Sequence, residues 1–577
     1  MANTIKKRGQ KYIKKFSRAS RKVGEEGKEH IKENFIKRLS HVENIRLLVL
    51  EWVLLVGALI MMASAQAFWF GDSYAENTFT TGGTYTEATI GEVNSLNPLF
   101  ATTSSEKVLS KLMFGTISTN DASGHPGVGL AESIYASNSA KTWTVKLRDN
   151  LKWSDGTPIT NEDVLFTIDL IKDPVVSSIY DASLSGVKVT TGENGEIIFN
   201  LATGYADFIS ALNIPVVPKH ILEGADRKTL VENDFSIMPV TSGAFSYNAA
   251  QSSAGEDKTY YLSANTDYYK GRPLLNSFAI HTYTNKNDII NAVNNGSVTA
   301  TAELSEVDAE KISSGQFIQK NSSLNSGAFI FFNMSRENTK NQELRAAIRQ
   351  GLNLDKIRSA APETLSLNYP LISSQINVTA FPSIPEHNFE AAKEKIAQLA
   401  AGKQIHLDIA TVNSGYLPNV AEVVKTELEA LGFEVNLSSY EENQEFITNI
   451  ISKRSYDILI YEIELGADPD LLPYYHSSQA SAGGLNLSNY RDALSDDLLI
   501  GARDTLDESL RIKKYESFLE RWVNSVPAIG LYQPNLTYFY NKNVRTFSND
   551  VRLVTPLDRF CDITDWAVNK TTKNKTP

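Results

Sequence analysis

The chain has 577 residues, which is too long for a single hydrophobic core, so at least two domains are expected. Its hydrophobic content of 42% and charged content of 21% are those of a globular protein. The single cysteine, Cys561, excludes an intramolecular disulfide and a cysteine-based metal site.

The charges are distributed unevenly along the chain. Residues 1–46 contain 14 Lys or Arg and 5 Asp or Glu, whereas the remainder contains 42 and 62. A basic head joined to an acidic body indicates that the two parts have different surroundings. A polybasic segment beside anionic lipid accounts for the head more simply than nucleic-acid binding does, so no nucleic-acid partner is expected.

An apolar run separates the basic head from the acidic body. Trp52 to Phe70 carries no formal charge and has aromatic residues at both ends. At about 1.5 Å per residue it is long enough for a ~30 Å hydrocarbon core, so one transmembrane helix is predicted over residues 47–70. The basic flank predicts a cytoplasmic segment 1–46 and, after a linker 71–82, an extracellular or periplasmic body. The alternative is a signal peptide cleaved near Ala65-Gln66-Ala67.

The next distinctive segment runs from Thr142 to Ile171. Its first residues, TWTVKLR, alternate as in a strand, and Asp155-Gly156 is typical of a tight turn. Thr160 followed by Asp163 predicts a capping box at the start of a helix. By themselves these patterns predict a compact β-β-α unit and indicate no catalytic or ligand-binding role.

This segment resembles the signature of the family 5 extracellular solute-binding proteins, the peptide- and nickel-binding group that serves ABC importers. The signature residues stand here in the same order and spacing: Trp143, Leu147-Arg148, Trp153, Asp155-Gly156, Pro158 and Asp163-Val164. Further segments between about residues 83 and 550 resemble the family in the same order: 95–100, 239–245, 264–280, 331–357 and 507–534.

The resemblance implies an α/β fold with two lobes, periplasmic-binding-protein-like of the cluster C type, preceded here by the one N-terminal transmembrane helix. Lobe I is then predicted over residues 83–325 with an inserted subdomain at about 113–236, lobe II over 326–530, and a return to lobe I with a C-terminal tail over 531–577. The two lobes are expected to hinge around a ligand at crossover segments near residues 321–336 and 527–535. Trp143 and Trp153 are expected to be packed as scaffold.

The second lobe also has its own sequence signals. QIHLDIATV, FEVNLSSY and YDILIYEIE predict strands, and PNVAEVVKTELEALG predicts an amphipathic helix closed by Gly432 in the C′ position. Strands that alternate with helices predict a parallel sheet, and such sheets place ligands beyond the carboxyl ends of their strands.

The loop that follows YDILIYEIE, with the sequence LGADPDLLPYYHS, is therefore the candidate ligand site. The resemblance implies that Asp468 holds the place where the family's peptide binders pair an Asp with the amino terminus of the ligand, although Leu465 stands where the family often has Trp. A solvated acidic loop is the alternative interpretation. The predicted ligand-binding residues are Asn333, Tyr461, Glu464, Asp468 and Asp470.

No enzyme is predicted. The chain has no G-x-S-x-G, H-E-x-x-H or Walker A sequence, and no cofactor, catalytic residue or metal ligand is expected. Pattern and resemblance together predict a membrane-anchored extracellular solute-binding protein that captures an oligopeptide ligand and delivers it to the permease subunits of an ABC importer. The alternatives are an anchored ligand sensor or surface chaperone without an importer, and a non-peptide ligand such as nickel, haem or a sugar.

Overall fold

The computed structural model describes residues 46–193, 195–252, 257–372, 375–376, 378 and 380–574. The predicted basic segment 1–46 therefore lies outside the described residues except for its last residue. The chain divides into two compact units, one formed by Met1–Thr78 with Thr571–Pro577 and the other by Phe79–Lys570.

The first unit contains helix α1 (Arg46–Tyr74), and strand β1 (Ala75–Thr80) pairs with the strand Asn569–Asn574. Within the described part of the chain, no helix combines the length and the apolar character that a membrane crossing requires.

The second unit contains the two lobes. The elements of lobe I before the first crossing are β2 (Thr84–Ile90), α2 (Ser104–Met113), β3 (Ser118–Asn120), β4 (Pro126–Val128), β5 (Ala131–Ser137), β6 (Thr142–Leu147), α3 (Asn161–Lys172), α4 (Asp181–Leu184), β7 (Lys188–Thr191), β8 (Ile197–Asn200), α5 (Phe208–Ala211), α6 (Lys219–Leu222), β9 (Phe245–Ser252), β10 (Lys258–Ala264), β11 (Ser277–Tyr283), α7 (Lys286–Asn295), β12 (Ala300–Thr301) and β13 (Phe317–Ser323).

Lobe II follows, and the chain then returns to lobe I. The elements of lobe II are β14 (Ser326–Phe332), α8 (Gln342–Gly351), α9 (Leu354–Arg358), β15 (Leu365–Ser366), α10 (Phe389–Ala400), β16 (His406–Val412), α11 (Leu417–Ala430), β17 (Glu434–Tyr440), α12 (Gln444–Phe446), β18 (Ile458–Glu464), α13 (Leu472–Tyr475), α14 (Ala493–Asp504), α15 (Glu508–Ser525) and β19 (Ala528–Gln533). Strand β20 (Asn535–Asn541) lies in lobe I again.

Each lobe is built on one large sheet. Lobe I has seven strands in the order β13-β20-β12-β2-β11-β10-β9, and lobe II has six in the order β15-β19-β14-β18-β16-β17. The inserted subdomain carries a separate four-stranded sheet, β5-β6-β8-β7, and the small pair β3-β4. Each large sheet has its own hydrophobic core, so the fold has two lobes.

The sheet of lobe II is mixed, and the prediction of a parallel sheet was wrong for half of it. Strands β18, β16 and β17 are parallel, as their intervening helices require. Strand β14, which brings the chain into the lobe, and β19, which takes it out, run antiparallel to their neighbours. The carboxyl end of β18 nevertheless lies at the edge where the parallel strands end.

Local signals in the inserted subdomain are confirmed. Thr160 and Asp163 form the capping box of α3, with the Thr160 amide donating to the Asp163 carboxylate at 2.8 Å. Trp143 and Trp153 are 5% and 1% exposed and belong to the core of lobe I. The segment is therefore scaffold.

The chain crosses between the lobes twice, at neighbouring points. The first crossing is Leu324-Asn325, between β13 and β14, and the second is Pro534, between β19 and β20. The amide of Leu324 donates to the carbonyl of Pro534 at 2.9 Å, so the two crossings are hydrogen-bonded to each other. Two short adjacent connections are typical of a hinge.

Candidate ligand-binding site

A cavity of about 550 Å³ lies between the inserted subdomain and lobe II. The subdomain contributes residues from the segments 182–187 and 201–211, and lobe II contributes residues from 464–474 together with Arg503. A volume of several hundred cubic ångströms is typical of small-ligand pockets. We refer to this space as the cleft cavity.

The loop Leu465–Asp470, which we call the site loop, is fixed to the hinge. The amide of Leu465 donates to the carbonyl of Asn325 at 2.8 Å, and the side-chain amide of Asn325 donates to the carbonyl of Gly466 at 3.0 Å. The side-chain amide of Gln375 donates to the carbonyls of Leu465 and Gly466 at 2.7 and 2.9 Å. The first crossing is thus bonded directly to the loop that lines the cavity.

Asp468 lines the cleft cavity and is bound from behind by Arg511 of α15. One guanidinium nitrogen donates to Asp468 Oδ2 at 3.0 Å, and a second donates to Oδ1. The Asp468 side chain keeps 24% exposure, whereas that of Arg511 keeps 9%. Burial alone would lower the pKa of Arg511, but the hydrogen bond and charge of Asp468 outweigh it and raise that pKa. The carboxylate is therefore fixed in position and still open to the cavity.

Asp470 forms a second ion pair at the far end of the site loop. Its Oδ2 lies 3.3 Å from Nε of Arg503, and its Oδ1 accepts a hydrogen bond from the amide of Leu472 at 3.3 Å. Burial raises the pKa of Asp470, and the nearby Arg503 opposes that rise. Asp470 is thus already paired within lobe II.

Arg503 also joins lobe II to the inserted subdomain. Its carbonyl accepts a hydrogen bond from the amide of Ala206 at 2.6 Å, and its guanidinium carbon lies 4.2 Å from the ring centroid of Tyr205. A guanidinium at that distance from an aromatic face is attracted by the ring. The lobes therefore touch at one rim of the cleft cavity.

Asp207 faces the cavity from the inserted subdomain. It occupies the N-cap position of α5, yet its side chain makes no capping hydrogen bond to the backbone of that helix. Its carboxylate accepts a hydrogen bond from the Ser210 hydroxyl at 2.6 Å and is 6% exposed. Burial raises the pKa of Asp207 well above its ordinary value, and the charge of Asp468 raises it further.

The structure brings three of the five predicted residues to the cavity. Glu464, Asp468 and Asp470 line it, whereas Tyr461 and Asn333 lie elsewhere in lobe II. The Tyr461 hydroxyl donates to the carboxylate of Glu442. Asn333 is buried, and its side-chain amide donates to two backbone carbonyls of the segment before β18, each at 3.0 Å.

Sequence reasoning missed the partners of the acidic loop. Arg511 had a detectable signal, because it falls on the apolar stripe of α15 with Tyr515, Phe518 and Trp522, and an arginine buried there needs an acceptor. Asp207 and Arg503 had no such sequence signal. Both lie in segments without a distinctive pattern and reach the cavity through tertiary packing.

Comparison with known protein families shows which family the chain belongs to. The family model described as bacterial extracellular solute-binding proteins, family 5, middle part, matches residues 125–484. The chain belongs to this family. The family resemblance seen in the sequence is confirmed.

Similar proteins match most of the chain. The oligopeptide-binding protein AppA of Bacillus subtilis is 26% identical over 487 residues, which is 79% of this chain and 87% of AppA. The structure of that AppA with a nonapeptide superposes with a TM-score of 0.68 at 22% identity, covering 85% of this chain and all of AppA. NikZ of Campylobacter jejuni, solved with Ni(L-His), gives 0.69 at 20% identity, covering 84% and 99%. These likenesses confirm the two-lobed α/β fold.

Proposed function

We propose that this family 5 protein captures oligopeptides in the cleft cavity by closing its two lobes and delivers them to the permease of an ABC importer. The observation that carries the proposal is the carboxylate of Asp468, presented to an interlobe cavity by an arginine behind it and by a loop bonded to the hinge. A fixed carboxylate suits a terminal ammonium group, which it binds by a charge-assisted hydrogen bond.

The charge of the cavity supports a cationic ligand group. Its charged lining consists of four acids, Asp207, Glu464, Asp468 and Asp470, and the single base Arg503. The Bacillus subtilis relative AppA, matched over 487 residues, is an oligopeptide-binding protein. An extended peptide also supplies backbone groups for hydrogen bonds to the rim, which hold it without strict sequence selection.

Anchoring in the membrane is part of the proposal and rests on the sequence, since no helix among the described residues by itself has the length and apolar character of a span. The nineteen-residue apolar run and the basic flank before it support a single span with the N-terminus in the cytoplasm and the lobes outside. The described apolar side chains of α1, among them Trp52, Leu54 and Met61, are 62, 65 and 72% exposed, and a surface of this kind needs an apolar environment. The span would keep the binding lobes next to a permease.

Nickel is the alternative ligand, because NikZ has the same fold and was solved with Ni(L-His). Among the residues that the structure describes, no three His, Cys, Asp or Glu side chains are grouped as a metal site. No observation on this chain favours the nickel alternative over a peptide.

Mass spectrometry of the ligand that co-purifies with the full chain in detergent tests the proposal. The expected result is a set of linear peptides with free amino termini, released when the protein is denatured. Stoichiometric release of a metal complex or another non-peptide compound would contradict peptide capture.

A further inference from the structure

Two arginines of lobe II already pair with acids of the site loop. Arg511 is hydrogen-bonded to Asp468, and Arg503 is paired with Asp470. The positive charge that a peptide ammonium brings is therefore not needed to balance either of these two acids. The unbalanced charge of the cavity must lie on the remaining carboxylates.

Asp207 and Glu464 are these carboxylates. Within the described part of the chain neither has a Lys, Arg or His within salt-bridge distance. Glu464 is exposed, so water solvates its charge. Asp207 is more than nine-tenths buried, and the Ser210 hydroxyl is its one side-chain hydrogen-bond donor among those residues. A buried carboxylate with so little compensation is unfavourable when it is ionised, and a cation beside it removes that cost.

The geometry places Asp207 opposite Asp468. Asp207 belongs to the inserted subdomain of lobe I and Asp468 to the site loop of lobe II, and both line the same cavity. The charges of Asp468 and Asp470 add to the effect of burial and raise the pKa of Asp207, and the charge of Arg511 opposes them. An ammonium group has three N–H donors and can bond to carboxylates on both sides at once.

We infer that Asp207 is a second amine-binding carboxylate, supplied by the opposite lobe, which neutralises the terminal ammonium of the ligand while Asp468 orients it. The inference rests on the proposed function. The free amino terminus of the ligand then holds the lobes together, because the two carboxylates that accept its hydrogen bonds belong to different lobes. Ligands without that positive charge give Asp207 no cation to pair with, so they lose this contact and bind more weakly.

Capture from a mixed peptide library tests the inference and does not require the natural ligand to be identified. The full chain in detergent micelles is immobilised and exposed to random tetrapeptides, half with free amino termini and half N-acetylated, and the bound peptides are quantified by mass spectrometry. Wild type is expected to enrich free-amine peptides at least tenfold over acetylated ones. Asp207→Asn is expected to lower the ratio several-fold without abolishing it, because Asp468 remains, and Asp207→Glu, which restores the charge, is expected to recover most of it.

Glu232→Gln is the matched control, because Glu232 is an exposed acid of the same subdomain outside the cavity. It should keep the wild-type ratio. An unchanged ratio in Asp207→Asn, or loss of the folded state in both Asp207 variants, overturns the inference. Wild type that captures peptides without preference overturns both the inference and the amine contact of Asp468, whereas wild type that captures no peptide overturns the proposed capture of peptides as well.

Discussion

Arg511 binds both carboxylate oxygens of Asp468, and this pair joins helix α15 to the loop that lines the cavity. The arginine is the more buried of the two, so it cannot be solvated if its partner is removed. The pair therefore has two roles: it stabilises lobe II, and it sets the direction in which Asp468 faces.

Replacement of Arg511 tests the structural role of the pair. Arg511→Met removes the donor and leaves a partly buried carboxylate without its partner, so we expect a loss of about 1–3 kcal/mol in the free energy of unfolding, less than for a fully buried pair because Asp468 is partly exposed. Urea denaturation of the two proteins measures it. Lys513→Met on the exposed side of the same helix is the control and should change the free energy of unfolding little. Equal losses in both variants would show that the Arg511–Asp468 pair does not cause the loss of stability.

A second contact between the lobes lies at Tyr416, before helix α11 of lobe II. Its hydroxyl donates to the carboxylate of Glu306 in lobe I. Tyr416→Phe removes this interlobe bond, and a loss of about 1 kcal/mol from the closed state should speed peptide release about fivefold. Stopped-flow dissociation measures the rate. Tyr135→Phe, at an exposed tyrosine of lobe I, should leave it unchanged, and an unaltered rate in Tyr416→Phe would mean that this bond does not hold the closed state.

We expect Glu462 on β18 to make the stability of the protein depend on pH. Burial raises the pKa of Glu462 from 4.5 to about 7, although a hydrogen bond from the Tyr532 hydroxyl at 3.2 Å opposes the rise. Because the folded state holds this proton more tightly, the stabilisation is complete below about pH 4.5 and is lost as the pH rises through 7. The loss is at most about 3 kcal/mol, since one pKa unit is about 1.4 kcal/mol.

Urea denaturation between pH 5 and pH 8 isolates this contribution. Wild type should lose more stability over that range than Glu462→Gln, which carries no titrating group at the position. Glu445→Gln, at an exposed glutamate of the same lobe, should follow wild type. If the pH dependence of Glu462→Gln equals that of wild type, the proton is held elsewhere.

The orientation in the membrane predicts a protease pattern. With one span and the lobes outside, protease added to intact cells should leave only a short protected fragment that contains the basic head. An epitope tag at the N-terminus detects this fragment on a gel. Full protection of the lobes would contradict the proposed orientation, and a mature protein that begins at Phe68 would show that the apolar run is a cleaved signal peptide.

Local patterns predicted the local structure well. The capping box at Thr160, the strand β18 and helix α11, which is followed by its C-cap Leu431 and then Gly432, all follow from residues within a few positions of one another, and the structure has all three. Gly432 has a φ of +105°, a conformation that glycine adopts readily at the end of a helix.

The candidate site was only partly predictable, for a physical reason. Asp468 could be placed because it follows a strand in a recognisable segment. Its partner Arg511 is 43 residues away, and Asp207 reaches the cavity from the other lobe. Such pairings depend on how the sheets pack, which periodicity along the chain does not report. For the same reason the antiparallel strands β14 and β19 were not foreseen.

The central claim is that the cavity binds the amino terminus of a peptide at Asp468, and isothermal titration of two proteins with two peptides tests it most directly. A co-purified peptide and its N-acetylated form are titrated into wild type and Asp468→Asn. Wild type should bind the free peptide ten- to a hundredfold more tightly than Asp468→Asn does, because a charge-assisted bond contributes about 1.5–3 kcal/mol and each ~1.4 kcal/mol is tenfold. The acetylated peptide should bind both proteins weakly and almost equally, since the charge on the ligand is already absent. Equal losses for the free and acetylated peptides would contradict the claim, because they would show that Asp468 does not bind the amine.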